Sequence, residues 1–191
     1  MKYQIITLDG IGGTGQTTQI HMLAKYIYEN QRDWWYNNFD GMIDNAIKNI
    51  EDIKDFLKEF PDGIVFNDGS IARMIVTDLC NGFNNDKIEE KYRNLINEYL
   101  YLEYNFDVMN FLLIPENTLM CYNRILKRNK IVGITDKIEW NSQQLETINN
   151  MLKNFNNNMV LRQWQFKLIS INEDDTILEV HNKLLKYLED K

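Results

Sequence analysis

The chain has 191 residues, of which 44% are hydrophobic, and this size favours a single domain with a substantial buried core. Its formal net charge of −7 argues against broad nucleic-acid binding through phosphate contacts, but it is compatible with a small anionic ligand. Cys80 and Cys121 have no metal-type spacing and are expected to be reduced, buried thiols of a cytoplasmic protein. No apolar run approaches the length of a membrane-spanning segment, and the N-terminal residues predict a strand rather than a signal segment.

The first predicted strand covers residues 3–8, and a glycine-rich stretch and a helical pattern at 18–30 follow it. A strand, a glycine loop and a helix start form the context of a phosphate-binding loop. The loop pattern GxxxxGK, followed by serine or threonine, aligns with Gly10 and Gly15 and places its magnesium-binding hydroxyl at Thr17. The residues expected to bind the phosphates of a nucleotide are Gly10, Gly12, Gly13, Thr14, Gly15, Gln16, Thr17 and Thr18.

The loop departs from this pattern at Gln16, where the pattern has a lysine. That lysine is the cation that reaches the β- and γ-phosphates, so its absence separates the question of nucleotide binding from that of catalysis. Gln16 can still donate a hydrogen bond to a phosphate, although it cannot neutralise one. A purely structural glycine turn is the alternative interpretation of the stretch.

The rest of the chain alternates between predicted strands and helices. Further strands are predicted at 33–37, 63–67, 108–114 and 165–171, and further helices at 42–60, 70–81, 87–104, 117–129, 142–156 and 175–189. Asp40 is the predicted cap of the second helix, and the aromatic run at 34–36 is either a strand or an aromatic clamp. This alternation predicts a largely parallel five-stranded sheet with helices on both faces, in one domain over residues 1–191.

Asp68 follows the third predicted strand directly. In open α/β sheets the carboxyl ends of the strands border the ligand crevice, so Asp68 is a candidate functional residue. In the alternative interpretation Asp68 belongs to an ordinary turn, or Asp68 or Ser70 only caps the next helix.

A basic cluster lies at the end of the helix predicted at 117–129. Its members are Arg124, Lys127, Arg128 and Lys130. Cations at this position ordinarily complement the helix dipole. The non-helical stretch that follows gives the cluster a second interpretation, as part of a mobile basic flap at about 125–140.

Together these features resemble the thymidylate kinase and deoxynucleoside kinase group of P-loop kinases, over essentially the whole chain. The stretch 8–19, LDGIGGTGQTTQ, is similar to the phosphate-binding loop of that family. The stretch 66–70, FNDGS, is similar to its aspartate–arginine motif, with Gly69 in place of the arginine. Arg124 and Arg128, followed by DKIE at 136–139, resemble its arginine-rich lid.

The resemblance implies a P-loop NTPase fold in three α/β/α layers, with the first strand central, beside the third and fourth. It implies ATP and Mg²⁺ as cofactors, a homodimer, and transfer of the γ-phosphoryl group to a deoxynucleoside or its monophosphate. Thr17 and Asp68 would organise Mg²⁺, and the catalytic candidates are Gln16, Asp68, Arg124 and Arg128.

The departures from the family leave three functions open. Losing one phosphate-binding cation typically costs about 100-fold to 100,000-fold in rate, and here both Gln16 and Gly69 replace cations. Arg73 or a lid residue such as Lys130 is a candidate substitute. The segment between the first helix and the third strand, where the family holds its acceptor, is short. The chain is therefore an active nucleotide or nucleoside kinase, a pseudo-kinase with a binding or structural role, or a kinase with a different acceptor.

Overall fold

The computed structural model describes residues 3–29, 32–39, 42–131, 141–154 and 164–189. The strands are β1 (Ile5–Gly10), β2 (Trp34–Asn38), β3 (Ile64–Asp68), β4 (Val108–Pro115) and β5 (Phe166–Ile171). The helices are α1 (Gln16–Glu29), α2 (Ile43–Glu59), α3 (Ile71–Cys80), α4 (Asn85–Asn105), α5 (Thr118–Ile131), α6 (Ser142–Lys153) and α7 (Ile177–Glu189). Each predicted strand and helix is present, with ends that differ by a few residues. Within these described ranges, no helix is long and apolar enough to cross a membrane.

The five strands form one parallel sheet in the order β2-β3-β1-β4-β5. Ile5 of β1 pairs with Val65 of β3 on one side and with Val108 of β4 on the other, so the predicted central place of the first strand is confirmed. From β1 the chain runs to β2, and from β3 it crosses β1 to reach β4. The carboxyl ends of β1 and β3 therefore border the point where the winding direction changes, which is where such sheets bind ligands.

Apolar side chains cover both faces of the sheet. On β1, Ile6 and Leu8 pack in a cluster with α1 and α7, whereas Ile5 packs in a second cluster with α2, α3, α4 and α6. Strands that are apolar on both faces require helices on both, which explains the three-layer arrangement. Both cysteines are free: Cys121 is buried as expected, but Cys80 is only partly buried.

A row of buried polar side chains crosses the sheet on the face that α4 covers. Asn37 donates a hydrogen bond to Asn67 at 2.9 Å, and Asn67 donates one to Thr7 at 3.4 Å. The hydroxyl of Tyr99 lies 3.3 Å from that of Thr7 and donates to Asn110 at 3.1 Å. Because these groups satisfy one another, the row tolerates burial and connects four neighbouring strands.

Helix α4 divides its tyrosines between the core and the surface. Tyr92 and Tyr99 are buried, whereas Tyr101 and Tyr104 are 50% and 91% exposed. Helix α4 thus exposes aromatic surface, and the homodimer that the resemblance implies stays a prediction.

The start of α2 differs from its sequence-based description. Met42 is the N-cap residue of α2 and makes no side-chain capping hydrogen bond. The predicted cap, Asp40, lies outside the described residues.

Candidate active site

The glycine loop connects β1 to α1 at the carboxyl edge of the sheet. Gly13 is required where the loop passes α5: its φ is +84°, and a Cβ there would lie 2.5 Å from the backbone oxygen of Cys121. At Gly15 a Cβ would meet nothing within 4 Å, so the loop leaves open space on that side. Helix α1 begins at Gln16, and its first amides and the positive end of its dipole face the same region. The loop therefore has the form of an anion-binding cradle.

A cavity of about 510 Å³ lies beside this cradle. Its lining includes residues 13–19 of the loop and α1, Arg124 and Arg128 of α5, and Ile177 and Val180 of α7. Its size is within the range of small-molecule pockets. Amides and two guanidinium groups suit an anionic group, and the apolar side chains suit a ring attached to it. The cavity thus has the chemistry of a nucleotide site.

Gln16 belongs to this cavity, but its amide also folds back on the loop. The side chain is only 7% exposed, and its Nε2 donates a hydrogen bond to the carbonyl oxygen of Gly10 at 2.9 Å. Gln16 is thus a neutral donor at the position of the missing cation. Gly10 and Gly12, which were also predicted to hold phosphates, do not line the cavity. The other predicted loop residues do line it: Gly13, Thr14, Gly15, Gln16, Thr17 and Thr18.

Asp68 lies at the end of β3, beside the first turn of α1. Its Oδ2 accepts hydrogen bonds from the hydroxyl of Thr17 and from the hydroxyl of Tyr36 at 3.0 Å. Burial, together with the charge and hydrogen bond of Asp68, raises the pKa of Tyr36 to about 12, so the phenol stays a donor at neutral pH. In the sequence Tyr36 belongs to an aromatic run, and its contact with Asp68 is not predictable there, because nothing in a linear pattern pairs residues 32 positions apart.

Thr17 and Asp68 have the chemistry that Mg²⁺ requires when a nucleotide is present. Mg²⁺ prefers oxygen ligands and is usually held by one or two carboxylates together with phosphate oxygens of the substrate. The hydroxyl and the carboxylate are already in contact beside the cradle. In the part of the chain that the structure describes, no group of three or more His, Cys, Asp or Glu could hold a metal ion. A metal at this site would therefore depend on the phosphates for its remaining ligands.

A second carboxylate, Asp9, is completely buried at the end of β1. It accepts hydrogen bonds from the hydroxyl of Ser70 and from the amide of Gly10 at 2.7 Å, and Nε of Arg73 lies 3.9 Å from its Oδ1. Burial raises the pKa of Asp9 above its ordinary value, while Arg73 and the hydrogen bonds act in the opposite direction. Ser70 also caps α3, since its hydroxyl accepts a hydrogen bond from the amide of Ala72 at 3.0 Å.

The guanidinium group of Arg73 occupies the space beside Gly69. A Cβ at Gly69 would lie 2.6 Å from Nη2 of Arg73, and the φ of Gly69 is +92°. A side chain at position 69 would therefore have to displace the guanidinium group that α3 supplies from the next helical turn. The cation that the sequence pattern lacks at position 69 is thus present in space, on a different residue.

The two predicted lid arginines lie on the side of α5 that faces the loop. Arg124 Nη1 donates a hydrogen bond to the carbonyl oxygen of Gly13 at 3.4 Å, and Arg128 lines the same cavity. Lys130 is not among the lining residues. The predicted lid segment beyond Ile131, with its DKIE stretch at 136–139, lies outside the described residues.

The sheet order, the glycine loop after the central strand and the Thr–Asp pair beside it define the three-layer fold of P-loop kinases. No family model matches the chain, and no curated protein matches it in sequence. Solved structures match it over nearly its full length. Deoxyadenosine kinase from M. mycoides with bound dATP has a TM-score of 0.62 at 13% identity, with 100% of both chains covered.

Two thymidylate kinases give similar results. The enzyme from Ehrlichia chaffeensis has a TM-score of 0.56 at 17% identity, with 100% of both chains covered. The enzyme from Candida albicans has a TM-score of 0.56 at 14% identity, with 98% of this chain and 92% of that chain covered. At such identities the likeness concerns the fold. It confirms the resemblance to nucleoside and nucleotide kinases as a statement about architecture.

Proposed function

We propose that the protein is an ATP-dependent kinase that transfers the γ-phosphoryl group to a deoxynucleoside or a deoxynucleoside monophosphate. The observation that carries this proposal is the convergence of the glycine loop and two arginines on one cavity, with Asp68 in contact with Thr17, a residue that lines it. The structural relatives named above are a deoxyadenosine kinase and thymidylate kinases, which supports this class of acceptor.

Each part of the cavity has a role in such a reaction. The loop amides and the start of α1 bind the phosphate chain, and Gln16 donates a further hydrogen bond to it. Thr17 and Asp68 hold Mg²⁺, which when bound supplies positive charge to the phosphates. Arg124 and Arg128 add charge from α5, where negative charge spreads over the group in transfer.

Arg73 supplies a further cation on the other side of Asp68. Its guanidinium group lies against Gly69 and near Asp9, at the carboxyl ends of β1 and β3. That is the edge of the sheet from which an acceptor would approach the phosphates. We therefore assign to Arg73 the charge that position 69 lacks.

A second candidate function is nucleotide binding without catalysis. The observation that favours it is the state of Gln16, whose amide is neutral and bound to the carbonyl oxygen of Gly10. The loop itself, DGIGGTGQTTQ, has no basic residue. A protein of this kind would hold ATP through amides and Mg²⁺ while it lacked the charge for transfer.

The test combines calorimetry with ATP·Mg²⁺ and an ATP-consumption assay over deoxynucleosides and their monophosphates. We expect binding, together with acceptor-dependent consumption. Asp68→Asn should reduce turnover about 100-fold or more, because it removes charge at the metal. The matched control is Asp78→Asn, since Asp78 also accepts a hydrogen bond from a tyrosine, but its carboxylate contacts Lys91 and Tyr92 and not a residue of the glycine loop. It should stay within about twofold of the wild type.

The two candidates differ in one outcome. Binding of ATP·Mg²⁺ without consumption in the presence of any acceptor would favour the non-catalytic protein. Absence of ATP binding would reject both.

A further inference from the structure

We propose that Tyr36 is a positioning residue of the metal site: its hydroxyl holds the Asp68 carboxylate against Thr17 and thereby strengthens the binding of ATP·Mg²⁺ relative to metal-free ATP. This inference rests on the proposed function and deepens it. It assigns a role to a residue that meets the predicted phosphate site only through Asp68 and Thr17.

The geometry around Asp68 supports this role. Tyr36 and Thr17 both donate to Oδ2 of Asp68, at 3.0 Å in the case of Tyr36. Among the described residues, none donates a hydrogen bond to Oδ1. A carboxylate that is fixed through one oxygen keeps a defined rotation and presents the other oxygen to a cation or to its bound water.

A phenol suits this task better than a cation would. It is neutral at pH 7, so it orients the carboxylate without cancelling the negative charge that attracts Mg²⁺. A lysine or an arginine in its place would compete with the metal for the same charge. Tyr36 therefore fixes the position of Asp68 and leaves its charge available.

The ring of Tyr36 is itself held in place. It stacks on His21 of α1 with ring centroids 6.0 Å apart and an interplanar angle of 15°. Its backbone pairs with Phe66 in β3. The hydroxyl thus reaches Asp68 from a strand and a helix that are both anchored, so its direction is set before any ligand binds.

The simpler explanation is that this hydrogen bond only connects β2 to β3. Backbone contacts already do so at this level, since Asn38 pairs with Asp68 and the amide of Phe39 donates to the carbonyl oxygen of Asp68 at 3.0 Å. The hydroxyl is therefore not needed to join the two strands.

The test is Tyr36→Phe, which removes the hydroxyl but keeps the ring on His21. Calorimetry gives the Kd of ATP with Mg²⁺ and with EDTA. The Kd with EDTA divided by the Kd with Mg²⁺ measures how much the metal strengthens binding. We expect the variant to lower this ratio about tenfold while the Kd of metal-free ATP stays unchanged. The control is Tyr92→Phe, which removes a 2.7 Å hydrogen bond to Asp78 far from the cavity. It should leave the ratio unchanged.

Thermal unfolding of both variants accompanies the binding measurements. Equal ratios in Tyr36→Phe and wild type would overturn the inference and leave the proposed function intact. A parallel loss of metal-free ATP binding in Tyr36→Phe would also overturn it, since the effect would then be on the fold of the site. If the wild-type protein bound no ATP under either condition, the proposed function and this inference would both fail.

Discussion

Replacing Gln16 with lysine is expected to accelerate phosphoryl transfer by about 10-fold to 30-fold. Gln16 lines the cavity, is 7% exposed and donates to the carbonyl oxygen of Gly10 at 2.9 Å. A lysine side chain is one atom longer, so its ammonium group can keep a hydrogen bond to Gly10 and extend toward the phosphates. The substitution therefore adds a charge at a position that already faces the ligand.

The magnitude follows from what the amide already supplies. A donor aimed at charge that develops in the transition state typically contributes about 2.7–4 kcal/mol, or about 100-fold to 1,000-fold in kcat. Gln16 provides a neutral donor, and charge-assisted hydrogen bonds are about twice as strong as neutral ones. About half of the full effect, or roughly 1.4–2 kcal/mol, is then left to gain, which corresponds to about 10-fold to 30-fold in rate.

The assay is acceptor-dependent ATP consumption, with kcat and KM measured separately. Loop amides and Thr17 already bind the ground state, so the change should appear mainly in kcat. Gln16→Met is the matched variant, because it keeps a similar length but has neither donor nor charge, and its kcat should fall below that of the wild type. Burying an ammonium group without a phosphate costs stability, so ATP·Mg²⁺ should raise the Tm of Gln16→Lys more than that of the wild type.

One result would refute the reasoning about Gln16. A folded Gln16→Lys protein that binds ATP·Mg²⁺ and turns over no faster than the wild type would show that position 16 does not limit transfer. A wild-type kcat of about 1–100 s⁻¹, ordinary for kinases, would lead to the same conclusion and would point to Arg73 as the cation in use.

Two further predictions concern stability. Gly69→Ala should lower the free energy of unfolding by about 1 kcal/mol more than Gly82→Ala, because φ is about equally positive at both but only a Cβ at Gly69 would press on a backbone atom, the oxygen of Phe39 at 3.1 Å, and displace Arg73. Equal losses in urea titrations would contradict this. Burial raises the pKa of Glu103 from 4.5 to about 7, so stability should fall as the pH rises through this window, and urea titrations of Glu103→Gln should show that slope reduced. A slope unchanged from wild type would assign it to other groups, such as Asp9.

Hydrophobic periodicity was sufficient to locate the strands and helices, because each burial pattern is local. The ends of the elements depended on pairing that the sequence does not show. The four glycines between positions 10 and 15 predicted a loop that begins at residue 9, yet β1 continues through Asp9 and Gly10. It does so because these residues pair with Leu112 and Leu113 of β4.

The candidate site also combines features that local sequence signals predict with contacts that only the fold creates. The glycine spacing, Thr17 and the position of Asp68 after a buried strand predicted a phosphate site, since each signal lies within a few residues of chain. The contact of Tyr36 with Asp68 could not be predicted, because it depends on the register of β2 against β3 and on the placement of α1.

Arg73 illustrates most clearly what tertiary structure decided. In the sequence, Gly69 counts as a lost cation, and Arg73 is one of several candidate substitutes for it. In the fold, a glycine with φ of +92° leaves room for the guanidinium group that α3 brings back beside it. Sequence alone identified which charges the loop and its neighbour lack. The position of Arg73 beside Gly69 was decided by the packing of α3 against β1, because a side chain reaches its site through space and not along the chain.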